Sequence, residues 1–106
     1  MRLVHGEAMK KVEAISRLKA LERRLRERGI KALYLFGSTV RDEADTASDL
    51  DLLYEYDPSQ KFSLFDQAGA MLELSDELGT RVDLVSRIGL RSRLRARVEG
   101  EMIRVF

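Results

Sequence analysis

Asp49 and Asp51 stand in the run Ser-Asp-Leu-Asp-Leu-Leu-Tyr, and Asp83 stands in Arg-Val-Asp-Leu-Val. On a strand, residues i and i+2 leave the same face, so an Asp-x-Asp pair aims both carboxylates the same way. Leu50, Leu52 and Leu53 place these acids beside a core. Charge in such a place is costly unless a cation or a partner compensates it. Three acids on apolar strands are a fitting donor set for hard divalent cations, most simply magnesium. Taken alone, Asp49 and Asp51 read equally well as ordinary surface aspartates on the exposed face of a half-buried strand. Asp83 and a Gly-Ser turn at residues 37–38 tip the balance toward a site.

These residues need elements to position them. Glu7 to Arg28 reads as one helix, with Met9, Val12, Ile15, Leu18, Leu21 and Leu25 at three- and four-residue steps and Gly29 placed to end it. Ile30 to Phe36 is a strand of aromatic and branched residues, broken by Gly37-Ser38. A short helix is expected from Ser38 to Glu43, then a polar loop through Ser48, then a strand from Asp49 to Tyr56 that Asp57-Pro58-Ser59 ends. Phe62 to Leu78 reads as a helix with an apolar stripe of Phe62, Phe65, Ala68, Met71, Leu72 and Leu78, capped by Gly79. Arg81 to Ser86 is a third strand and Leu90 to Glu99 an arginine-rich helix. Ile103, Val105 and Phe106 form an apolar tail that docks on the domain or on a second copy. The alternation predicts a small α/β sandwich with a three- or four-stranded sheet and helices packed on it.

Length and composition narrow the classes. The 106 residues suit one domain, spanning 1–106, with one core. Apolar content of 44% and charged content of 35% fit a globular protein. With 19 basic and 18 acidic residues there is no whole-protein field for nucleic acid or membrane. Arginine supplies most of the basic charge, and the run from Arg87 to Arg97 reads first as a solvated helix face, with a grip on RNA or on a protein as the second reading. The absence of cysteine excludes disulfides and thiolate zinc sites. His5, near the N-terminus, has no expected role. No apolar run approaches a membrane span, and the expected compartment is the cytoplasm.

Gly37-Ser38, ten residues, Asp49-x-Asp51 and then a strand aspartate after the next helix together resemble the nucleotidyltransferase superfamily of the DNA polymerase β type. The chain looks most like the minimal nucleotidyltransferases that pair with HEPN-domain proteins in toxin–antitoxin modules. The resemblance rests on Gly37, Ser38, Arg41, Ser48, Asp49, Asp51 and Asp83. It implies a polymerase β-like sandwich with a mixed sheet, and a transfer that uses ATP and two magnesium ions. Asp49 and Asp51 would bridge both ions, and Asp83 would serve the ion at the acceptor hydroxyl. Gly37 and Ser38 would contact the triphosphate, Arg41 would reach a distal phosphate, and Ser48 would assist binding. Read without the resemblance, Gly37-Ser38 is only a turn, Arg41 pairs with a nearby acid, and Ser48 is a loop hydrogen-bonder. The family often has glycine after the arginine. Here the residue is Asp42, a type that tolerates a left-handed backbone but adds a carboxylate near the phosphates.

The expected activity is transfer of a nucleoside monophosphate, AMP from ATP, to a hydroxyl. Larger members carry lobes for their acceptors, so the acceptor here is expected from another molecule or a second subunit. The resemblance supplies a tyrosine on a HEPN-type toxin, with this chain as the antitoxin. Nucleic acid is not expected as a direct ligand. A homodimer and a hetero-oligomer with the toxin both stay open. So do a non-catalytic antitoxin that acts by occlusion and a small-molecule transferase of the aminoglycoside-modifying kind.

Overall fold

The computed structural model describes residues 9–45 and 48–106. His5, the expected helix start at Glu7 and two positions of the loop before Ser48 lie outside the described residues. The elements are α1 (Lys11–Lys19), α2 (Glu22–Glu27), β1 (Ile30–Phe36), β2 (Leu50–Tyr56), α3 (Leu64–Leu78), β3 (Val82–Ser86), α4 (Ser92–Glu101) and β4 (Ile103–Arg104). The strands form one sheet in the order β3-β2-β1-β4. β1 is antiparallel to β2 and β4, while β2 and β3 run parallel across α3, so the sheet is mixed and four-stranded. No helix among the described residues is long and apolar enough to cross a membrane.

The sheet has two unequal faces. Leu33, Leu35, Leu50, Leu52, Tyr54, Val82 and Leu84 face α1, α2 and α3 and join the larger core. The alternate positions Ala32, Tyr34 and Leu53 turn to the other face and pack with Leu90 and with Val98 of α4. Covering on both faces explains why central β1 is a nearly unbroken apolar run. The tail docks on the domain: β4 pairs with the free edge of β1, and Val105 and Phe106 are buried. That edge is thereby closed to other strands.

Four expectations need correction. The first helix is interrupted at Ala20–Leu21, where Leu21 sits at φ −97°, ψ 1° and its N–H donates to Leu18 O at 3.0 Å. The tightened turn keeps Leu18, Leu21 and Leu25 all in the core. The helix expected over 38–43 is a single 3-10 turn, Gly37–Thr39, with Val40 as its C-cap, and the backbone turns left-handed at Asp42, φ 55°. The starts expected at Asp49, Phe62, Arg81 and Leu90 move inward: β2 begins at Leu50, α3 at Leu64, β3 at Val82 and α4 at Ser92, while α4 runs on to Glu101.

The fourth correction concerns the face of α3. Phe65, Ala68 and Leu72 point to solvent, and Ala70, Leu74 and Leu78 enter the core. The helix carries apolar residues on two stripes, and a polar residue selects between them. Gln67 Nε2 donates to Leu84 O at 3.0 Å, and its Oε1 accepts from Tyr54 Oη at 2.6 Å, which turns the 67/70/74/78 side to the sheet. A capping box between Ser63 and Asp66 fixes the start of the helix, and Phe62, left outside it, stacks on Tyr56. Gly79 ends it in the left-handed conformation, as its position suggested.

Candidate active site

The register of the sheet assembles the site. Phe36, the last residue of β1, lies opposite Asp51 on β2, so Gly37 leaves the strand directly over the Asp51 carboxylate. Asp51 in turn is the register partner of Asp83 on parallel β3, and both side chains leave the sheet on the α4 side. Asp49 falls one residue before β2. It is exposed, as is Asp83, whereas Asp51 is half-buried.

Electrostatics follows from that placement. Burial, then the charges of Asp83 and Asp49, push the Asp51 carboxyl up to about 6, with Glu101 adding a smaller push and Arg41 opposing it. Asp51 is therefore a carboxylate whose charge its surroundings do not compensate. Among the described residues no three acidic or histidine side chains stand as a ready-made cation cage. Asp49 Oδ1 instead accepts from Arg81 Nε at 3.0 Å. The donor chemistry nevertheless fits a divalent cation, because all-oxygen ligands of like charge around a desolvated carboxylate are what such an ion relieves.

The raised value gives a signed expectation for stability in chelator. Asp51 binds its proton more tightly in the folded state than at the ordinary 3.8. Its charge thus costs nothing well below pH 4 and costs progressively more as pH rises through about 6. Asp51→Asn removes the cost. The variant should be more stable than wild type by about 1–2 kcal/mol near pH 8, after allowing for solvent screening of a half-buried group, and no more stable near pH 4. Thermal unfolding at the two pH values reads this directly. A destabilised variant at pH 8 would make Asp51 a structural residue.

Gly37 is required by both conformation and space. It sits at φ +81°, and a Cβ there would collide with Asp51 Oδ2 and come to 3.0 Å from its Cγ. The Gly37 N–H donates to Glu101 Oε1 at 3.1 Å. Arg41 reaches the same acid, Nη1 donating to Glu101 Oε2 at 2.8 Å, while its Nε donates to Glu43 Oε1 at 2.8 Å. Ser38 is half-buried, and its carbonyl accepts the Glu43 N–H at 2.9 Å. With a single 3-10 turn in place of the helix expected from Ser38, there is no helix dipole at this residue. Asp42 does take the left-handed backbone, and its carboxylate turns away to accept the Lys11 N–H at 2.9 Å at the start of α1. Ser48 Oγ donates to Asp45 Oδ1 at 3.2 Å and accepts the Asp45 N–H at 3.1 Å, which ties the loop to itself.

Sequence reasoning missed Glu101. It lies 64 residues from Gly37 and beyond the expected end of its helix, so only the packing of α4 reveals it. It also misplaced part of the arginine run. Arg87 donates to Glu55 at 2.6 Å and to Glu99 at 2.9 Å, and Arg95 donates to the carbonyls of Arg87, Ile88 and Leu90. These contacts fasten α4 to the sheet and so carry Glu101 to the site. Arg91, Arg93 and Arg97 are exposed, as a solvated face requires.

Residues 18–105 match the nucleotidyltransferase domain family. Protein adenylyltransferase MntA of Thermococcus cleftensis is 36% identical over 98 residues, covering 92% of this chain and 95% of that protein. A solved structure described as a minimal nucleotidyltransferase superposes with a TM-score of 0.78 at 38% identity, over 92% of this chain and 98% of its own. A Shewanella oneidensis complex of a tri-AMPylated HEPN toxin with an MNT antitoxin shares the fold, with a TM-score of 0.63 at 18% identity, over 87% of this chain and 71% of the matched one.

Proposed function

The chain belongs to the nucleotidyltransferase domain family, and from that premise we propose that it transfers AMP from ATP to a tyrosine of a HEPN-domain toxin and so acts as the antitoxin of the pair. The observation that carries the reading is the Asp51–Asp83 register pair with the Gly37 backbone packed against Asp51. That arrangement sets carboxylates for cations beside backbone donors for phosphate. The protein acceptor is supported by the Thermococcus relative, a protein adenylyltransferase that this chain matches over 95% of its length. The HEPN toxin is supported by the Shewanella complex, in which that kind of protein carries AMP.

Asp49, Asp51 and Asp83 would hold two magnesium ions, which when bound neutralise the phosphates and the oxygens that attack and leave. The rest falls to the chain itself. The Gly37 N–H and the Ser38 hydroxyl donate to phosphate oxygens, and Arg41 offers its guanidinium to the distal phosphates. These contacts fix the α-phosphorus in line with the acceptor. The tyrosine oxygen bonds to that phosphorus, the bond to the β-phosphate oxygen breaks, and pyrophosphate departs. Asp83, exposed on the α4 side of the sheet, takes the phenolic proton and passes it to water. Asp49 must exchange Arg81 for the cation, a small cost because the pair is largely solvated.

Calorimetry with ATP, in magnesium and in chelator, tests the site. Binding should require the metal, and equal affinity in both conditions would count against carboxylates that act through a cation. Ser38→Ala should weaken binding in magnesium by about 1–2 kcal/mol, the scale of one hydrogen bond to a charged group. An unchanged affinity would remove Ser38 from the phosphate contacts.

A further inference from the structure

Glu101 is an acid in the wrong place by local rules. It is the last residue of α4, where the helix dipole disfavours negative charge. It also faces a site already rich in carboxylates, and its charge adds to the burden on Asp51. What holds it there is a pair of donors, one for each oxygen. Oε1 accepts the Gly37 N–H at 3.1 Å and Oε2 accepts Arg41 Nη1 at 2.8 Å. A backbone N–H at a glycine turn and an arginine, both engaged by two oxygens of a single anionic group, form the contact set that a phosphate group would take up.

We infer that Glu101 is a resident stand-in for nucleotide phosphate: it holds the Gly37 N–H and Arg41 in their anion-binding arrangement and is displaced when a nucleotide enters. The inference rests on reading Gly37 and Arg41 as phosphate donors. Nucleotide affinity is then set by competition between an intramolecular carboxylate and the incoming phosphates. The stand-in keeps the half-buried Gly37 N–H and the Arg41 guanidinium satisfied.

The test is calorimetry of MgATP with wild type, Glu101→Gln, Glu101→Ala, Arg41→Gln and the Glu101→Gln/Arg41→Gln double variant. Glu101→Gln keeps the size of the side chain and removes its charge, and it should bind MgATP about tenfold more tightly, the equivalent of one hydrogen bond to a charged group. Glu101→Ala should also bind more tightly than wild type. Damage to the fold weakens binding, so a gain reports the loss of an opposing carboxylate, and the double variant separates competition for shared donors from simple repulsion. Arg41→Gln should weaken binding, and in its presence the gain from Glu101→Gln should shrink, since one of the two shared donors is gone. If wild type binds and both Glu101 variants bind equally well or less well, Glu101 is a structural anchor, the inference falls, and the phosphate reading stands. If neither wild type nor any variant binds MgATP, the reading of Gly37 and Arg41 as phosphate donors fails, and the stand-in falls with it.

Discussion

Asp83→Asn should leave MgATP binding nearly intact and reduce transfer by about a hundredfold to a thousandfold, the scale of losing one preorganised electrostatic group. The separation follows from the geometry. Asp49 and Asp51, with Gly37, Ser38 and Arg41, remain to hold the nucleotide. Asp83 lies across the register from Asp51 on the strand nearer the sheet edge, where it is exposed to an arriving acceptor. Its loss also removes a charge that presses on Asp51, so binding is not expected to suffer from added repulsion. Calorimetry gives the affinity and single-turnover kinetics gives the transfer rate. A variant that loses affinity and rate in parallel would place Asp83 among the nucleotide-holding residues, and an unimpaired rate would remove it from the chemistry.

Gly37→Ala should be damaging on two counts. An L-residue at φ +81° costs about 1–2 kcal/mol. The new Cβ also collides with the Asp51 carboxylate, which must turn out of its register position next to Asp83. The expected result is a stability loss of about 2 kcal/mol or more together with loss of MgATP binding. Gly100 supplies the control within the same chain. It lies in α4 with nothing within 4 Å of an added Cβ, so Gly100→Ala should raise stability by about 0.5–1 kcal/mol. Denaturant titration of both variants checks the pair. A tolerated Gly37→Ala would mean that the turn has another conformation in solution and that the close approach to Asp51 is dispensable.

Much of this site could be read from residue types because its parts are local. β1 ends where Gly-Ser interrupts an apolar run, and β2 declares itself by leucines around Asp51. The third strand follows the Gly79 cap, so Asp51 and Asp83 could each be assigned to a strand, while Asp49, read as the first residue of its strand, falls one residue before β2. The parts that could not be read depend on choices made in three dimensions. α3 has two apolar stripes, and the hydrogen bonds of Gln67 to Tyr54 and Leu84 decide between them. The break at Ala20–Leu21 has no glycine or proline to announce it. The helix expected after Ser38 fails because Asp42 goes left-handed, and its carboxylate is spent on the first turn of α1. Glu101 could not be found at all, since an acid just past the expected end of an arginine-rich helix looks like a surface residue until Arg87 and Arg95 bind that helix to the sheet.

Intact-mass spectrometry of a HEPN-domain protein offered as acceptor tests the central claim most directly. The candidate acceptor is incubated with ATP, magnesium and either wild type or Asp83→Asn, then weighed, and its toxicity is measured in parallel. The expected result is one or more nucleotide-sized mass gains on the partner with wild type, none with Asp83→Asn, and silencing of the partner only where the mass rises. Silencing by both proteins with no mass gain in either would contradict it, and would make this chain a binding module that acts by occlusion.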